Sequence, residues 1–271
     1  MKNALYLFLI PVLISACNQS KPSEKQETPT VQFQNKGHEL IHGLVQKVGS
    51  YQDLLDRKDV VYTYTYQTPD GKTDVSTEKY IFDGELSIGQ YTQHERTLPD
   101  LEGTFTQGYN GKEFWFQHDG TYLANEEYLK RTQFNRKTNF YWFAMFQKLL
   151  DPGLNYEHLG ETTIENKKYN IVKITFNSED GKPTDIYQVY INQTTSMVDQ
   201  FLFTVVDFNM IETPLLMQVE YEEIDGLLIP SKRRYKKSTW EAEVTDAPWI
   251  NVNWTDIKFN NGLTRTSFDK E

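Results

Sequence analysis

Val189-Tyr-Ile-Asn-Gln-Thr-Thr-Ser-Met-Val-Asp-Gln-Phe-Leu-Phe203 sets an apolar run on each side of a polar stretch, and it reads as strand, turn, strand. The pattern continues outward on both sides. Toward the N-terminus, Tyr169 to Asn177 and a turn over Ser178 to Pro183 lead into a strand over Asp185 to Ile191. Toward the C-terminus the strand from Met197 reaches Asn209, and Leu215 to Glu223, Leu227 to Lys237 and Trp249 to Phe259 follow before Asn261-Gly262. The first half of the chain carries the same signal. Val60 to Gln67 alternates Tyr62, Tyr64 and Tyr66 against Val61, Thr63 and Thr65, and Pro69-Asp-Gly71 turns it into Asp74 to Phe82. Gly103 to Tyr109 and Lys112 to Gln117 are then set off by Asn110-Gly111 and Asp119-Gly120. Two meanders result, of about ten strands together.

The period changes between the meanders. Residues 126–150 contain no glycine or proline, and Asp151-Pro-Gly153 stops the segment, so a helix is expected over at least Lys137 to Leu150. Its centre, Phe140-Tyr-Trp-Phe-Ala-Met-Phe146, is apolar on every side. Such a helix must be covered all round, as core or as a lid over an apolar cavity. A second, amphipathic helix over Gly37 to Val48 places Ile41, Leu44, Val45 and Val48 on one face. A flat sheet this wide would leave one face bare. The expected fold is therefore β-dominated α+β: a strongly curved antiparallel sheet, an open half-barrel of roughly ten strands wrapped around one or two helices.

The N-terminus is an export signal. Met-Lys-Asn is followed by the apolar stretch Ala4 to Leu13 and by Ile14-Ser-Ala-Cys17, which holds the only cysteine of the 271 residues. The apolar run is too short for a membrane span, which needs about 20 residues. Small residues abutting the cysteine favour a lipoprotein signal over an ordinary cleaved signal or an uncleaved anchor. Residues 1–16 are read as the signal peptide and Cys17 as the lipidated residue. Residues 17–36 form a polar tether with prolines at 22 and 29, and residues 37–271 form one domain. Asn18 is not the aspartate that retains lipoproteins at the inner membrane of some bacteria, so the expected location is the outer membrane, facing the periplasm.

With one cysteine, no intramolecular disulfide can form. The net charge of -10, from 28 basic and 38 acidic residues, excludes nucleic acid as a natural partner. Aromatic residues make up 14%, ample for a core or a lined cavity.

The segment from Val189 to Phe203 resembles the strand, polar turn, strand of lipoprotein-carrier (LolA/LolB-like) half-barrels. Val219-Glu-Tyr-Glu-Glu-Ile-Asp-Gly-Leu-Leu-Ile-Pro230 is similar to the edge hairpin of those domains, and Tyr169-Asn-Ile-Val-Lys-Ile174 to the strand before them. The resemblance spans most of residues 37 to 262 and is closest to uncharacterised lipid-anchored relatives. It implies a helical lid over an apolar cavity that receives acyl chains. This sequence departs from the soluble carriers in having its own anchor at Cys17, so the expected partners are the membrane through the N-terminal lipid, a lipid or other apolar ligand and other envelope proteins, with no cofactor and no catalysis. The expected cavity lining, taken from alternation and size, is Tyr62, Tyr64, Phe114, Phe116, Trp142, Phe143, Phe146, Phe201 and Phe203.

Two other functions compete. His38-Glu39-Leu40-Ile41-His42 fits the H-E-x-x-H pattern, in which two imidazoles one helical turn apart hold zinc and the glutamate acts as base. No third ligand is identifiable, and the same residues serve as the polar flank of the first helix. Gly84-Glu-Leu-Ser-Ile-Gly89 is one residue too long for a nucleophile elbow. Trp240, Trp249 and Trp254 could stack on sugars, which gives a structural or glycan-binding surface lipoprotein as the other alternative. The basic run Lys232 to Lys237 is expected on a solvated sheet face.

Overall fold

The computed structural model describes residues 32–178 and 181–270; the signal peptide, Cys17 and most of the tether lie outside these. Helix α1 (Lys36–Val48) starts at Asn35, whose side chain accepts the His38 N–H, and buries Ile41, Leu44, Val45 and Val48. A second short helix, α2 (Tyr51–Asp56), follows. It begins with a capping box in which Ser50 and Asp53 satisfy each other's backbone N–H groups.

Thirteen strands follow in a single antiparallel sheet: β1 (Asp59–Gln67), β2 (Thr73–Ile81), β3 (Leu86–His94), β4 (Phe105–Tyr109), β5 (Phe114–His118), β6 (Thr121–Tyr122), β7 (Leu154–Ile164), β8 (Lys167–Phe176), β9 (Ile186–Asn192), β10 (Val198–Val205), β11 (Met210–Ile224), β12 (Leu227–Lys237) and β13 (Ile250–Phe259). The spatial order is β6-β5-β4-β3-β2-β1-β13-β12-β11-β10-β9-β8-β7, an open, curved half-barrel. The chain therefore starts in the middle of the sheet, meanders to one edge, crosses to the other edge, and meanders back. Pairing of β1 with β13 closes the seam, with Tyr64 opposite Trp254 and Tyr66 opposite Val252.

The crossing segment contains α3 (Glu126–Ala144), capped by the Asn125 side chain. It fills the first part of the Gly- and Pro-free stretch as well as the expected Lys137 onward, but it ends at Ala144 instead of Leu150. Past Ala144 the chain runs through turns to Leu150. The reason is tertiary. Phe140, Phe143 and Ala144 pack with Tyr62, Tyr80, Phe82 and Trp254, whereas Met145, Phe146 and Leu149 pack with α1 and with Val172, Val189 and Phe201 of the second meander. Turning lets adjacent residues serve two separate clusters, each stabilised by burial of roughly 1.5–3 kcal/mol per large apolar side chain.

Three strands escaped the sequence reading, so the expected ten became thirteen. In β3 Gly89 breaks the alternation, and its missing side chain has a use: a Cβ there would lie 2.5 Å from the Arg136 guanidinium of α3. Strand β7 is an edge strand whose exposed positions are polar apart from Leu159, with a bulge between His158 and Gly160, where the Gly160 φ is +115°. Strand β6 has only two residues.

Helix α3 is held to the first meander by a buried polar network. Arg136 Nη1 and Nη2 donate to Glu78 Oε2 and Oε1 at 2.6 and 3.2 Å, and both side chains are 0% exposed. The Ser76 and Tyr80 hydroxyls also donate to this carboxylate, each at 2.8 Å, and Tyr80 shares a hydrogen bond with Tyr62. Burial works most strongly against charge on Arg136, but the Glu78 carboxylate, together with Tyr91 and Tyr80, outweighs it and holds the guanidinium pKa above its ordinary value. Nearby, Asn135 donates to Gln107 of β4 at 3.0 Å.

Candidate functional site

Between α3 and the sheet lies a cavity of about 670 Å³. Its walls come from the α3 face carrying Phe134, Thr138, Tyr141 and Trp142 and from the central and second-meander strands. Strand register brings the lining together: Tyr187 of β9 lies opposite Phe203 of β10, and Phe203 opposite Leu215 of β11. Met217 lies opposite Tyr235 of β12, and Arg233 opposite Val252 of β13. Because alternate residues of a strand share a face, these pairs form a continuous inner surface. Trp142 reaches down onto Phe201, Phe203 and Tyr187, with ring centroids 5.9, 4.9 and 6.3 Å away.

Of the nine aromatic residues expected to line a cavity, Tyr64, Trp142 and Phe203 border this one. Tyr62 and Phe143 stack on each other at 5.1 Å, and Phe146 packs on Phe201 at 5.8 Å, deeper in the two core clusters. Phe116 is buried between Phe105 and Tyr128, under the first half of α3. Phe114 stacks on Tyr109 at 4.4 Å, with Lys137 Nζ 5.8 Å from its ring.

Six basic residues, Arg96, Arg131, Lys137, Arg233, Lys236 and Lys237, also border it, against Asp185 and Asp207. The sequence placed the 232–237 run on a solvated face; Arg233 contradicts that, being 6% exposed. Its guanidinium lies 3.8 Å over the Trp254 ring and 5.7 Å from the Trp142 ring. Nε donates to the Pro230 carbonyl at 3.0 Å and Nη2 to the Trp142 carbonyl at 2.6 Å. Burial pushes its pKa down to about 9. Strand alternation pairs Arg233 with Tyr235 on one face, and that was the available sequence signal; Lys236, on the other face, donates to the Thr245 carbonyl and lies 4.4 Å over Trp249.

The histidine pair is engaged elsewhere. His38 stacks on Tyr156 at 5.0 Å and its Nδ1 accepts from the Gln34 N–H, while Glu39 pairs with Lys36 and His42 sits against Phe33. Among the described residues no group of three or more His, Cys, Asp or Glu side chains could hold a metal ion. Of the tryptophans, Trp254 is buried in the core, and Trp240 and Trp249 pack half-buried with Leu202, Leu216 and Ala242.

Residues 110–212 match a family of unknown function, DUF6503. No curated protein matches the sequence. Among solved structures, the chain is similar to a DUF1329 family protein from Desulfovibrio piger, at 14% identity and a TM-score of 0.51, covering 86% of this chain and 97% of that one. It is also similar to a LolA superfamily protein from Nitrosomonas europaea, at 14% identity and a TM-score of 0.46, covering 82% of this chain and 98% of that one. At these identities the likeness is one of fold. The open, curved sheet itself agrees with the half-barrel expected from the hairpins at 189–203 and 219–230.

Proposed function

We propose that this protein is a lipid-anchored component of the cell envelope that binds an apolar ligand, a lipid or acyl chain, between α3 and the half-barrel sheet, without catalysing a reaction. The observation that carries this reading is the cavity beneath Trp142. Its volume of about 670 Å³ falls in the range that encloses small-molecule ligands, roughly 300–1,000 Å³, and rings from α3, β1, β9, β10 and β12 surround it. Each buried CH₂ would contribute about 0.8 kcal/mol, so an acyl chain of about a dozen carbons gains useful affinity without directed polar contacts. Cys17 would carry the anchor and the following residues the tether, with the outer membrane facing the periplasm as the location. Envelope proteins that deliver or receive the ligand are the natural partners.

The test is native mass spectrometry of a soluble form lacking residues 1–17. All five hydrophobic clusters lie between residues 40 and 268, so this form retains the whole core. A lipid-sized adduct on the gently purified protein is the expected result. Protein that emerges bare and takes up no amphiphile when offered one would overturn the proposal, and one bound zinc would return attention to His38 and His42.

A further inference from the structure

The basic lining of the cavity runs against the character of the whole molecule. Acidic residues outnumber basic ones by 38 to 28 in the chain, yet six basic residues and only two acidic ones border this space. Most of the six have reasons to be there without a ligand. Arg96 pairs with Asp74 at 3.3 Å and lies 4.0 Å over Tyr66, Lys236 is held by the Thr245 carbonyl, and Lys137 and Lys237 are exposed.

Arg233 is different. It is buried, its protein acceptors are two neutral carbonyls, and among the described residues no carboxylate lies within ion-pair distance. Its Nη1 donates to no protein acceptor among these residues. A buried guanidinium without a counterion is costly, and protein interiors normally pair such a group. The rings of Trp254 and Trp142 hold the planar fork in place, which suits two-point recognition of a carboxylate or phosphate.

Building on the apolar-ligand reading, we propose that Arg233 is an anion-binding residue and that the ligand is an amphiphile whose carboxylate or phosphate group pairs with this guanidinium while its hydrocarbon chain fills the aromatic cavity. Charge complementarity selects this class over neutral lipids.

Binding of four probes to the form lacking residues 1–17, by isothermal titration calorimetry, tests it: dodecanoate, dodecyl phosphate, dodecanol and acetate. Dodecanoate or dodecyl phosphate should bind about tenfold or more tightly than dodecanol, since a charge-assisted hydrogen bond is worth at least that factor. Whichever of the two binds better identifies the headgroup chemistry, and acetate alone should bind only weakly. In Arg233→Gln the anionic preference should vanish while dodecanol affinity stays within about threefold; Arg233→Lys should keep part of it. Equal affinity for dodecanol and the two anions in the wild-type protein overturns this inference and leaves the apolar cavity standing. No binding of any twelve-carbon probe overturns both. The wild-type comparison decides the matter even if the glutamine variant does not fold.

Discussion

Replacing Glu78 by glutamine would strand a guanidinium in the core. Glu78 and Arg136 are both fully buried, joined by two hydrogen bonds of 2.6 and 3.2 Å, and the carboxylate also accepts from Ser76 and Tyr80. A glutamine has one acceptor oxygen and no charge, so Arg136 keeps its desolvation cost and loses its counterion. Breaking a buried pair on one side costs about 3–5 kcal/mol. A domain of this size loses about 2–4 °C of Tm per kcal/mol, so Glu78→Gln should lower Tm by about 6–20 °C, measured by circular dichroism at pH 7. The double substitution Glu78→Leu with Arg136→Met should recover most of the loss, because an apolar pair needs no counterion. Arg136 lies six residues before Trp142 on α3, so Glu78→Gln should also weaken amphiphile binding by loosening the helix above the cavity. A cost below about 1 kcal/mol, the level of an exposed ion pair, would refute the reasoning.

Three further outcomes are expected. Gly89→Ala should cost about 1–3 kcal/mol, since the new Cβ lies 2.5 Å from a guanidinium that cannot move without leaving Glu78, and Arg136→Met should suppress that cost; a neutral Gly89→Ala in urea unfolding would argue against it. Phe143→Ala, at a site 1% exposed, should destabilise by about 3–5 kcal/mol, whereas Trp142→Ala should lose ligand at a smaller cost in stability; the reverse ranking would move the cavity away from Trp142. Burial raises the Asp185 carboxyl above its ordinary 3.8, with the Val206 N–H opposing. The folded state therefore holds this proton more tightly than the unfolded chain, and stability falls as pH rises from 3.8 through the raised value. Asp185→Asn should flatten that part of the Tm–pH profile, and an unchanged slope would assign it to other groups.

Alternation made ten of the thirteen strands legible, and it put Tyr62, Tyr64, Phe201 and Phe203 on the face that α3 covers. Depth along that face was not legible. Tyr62 and Tyr64 differ by one pleat, yet Phe143 fills the space over the first and leaves the second at the cavity. That outcome depends on where the helix ends, which Met145, Phe146 and Leu149 settle through contacts with residues far along the chain. Arg233 was hidden for a related reason: inside a run of lysines and arginines it looks like surface, and only its position opposite Val252, beneath Trp142, makes it interior. Strand β3 was obscured because Gly89 serves a guanidinium 47 residues away in sequence.

The order of the strands also governs how this chain reaches its native state. All the other ladders join sequence neighbours, most of them through short turns, and can form quickly, but the seam pairs Val60 with Phe259, 199 positions later. Closing so long a loop carries a large entropic cost, and such contacts set the pace of folding. Strand β13 follows β1 by almost 200 residues in the chain, so until it emerges β1 waits with its outer edge unpaired. An open edge of alternating tyrosines and threonines is a template for joining another chain. The nascent protein thus passes through an interval in which Val60–Gln67 is prone to aggregation, and a chaperone that shields this one strand would raise its yield.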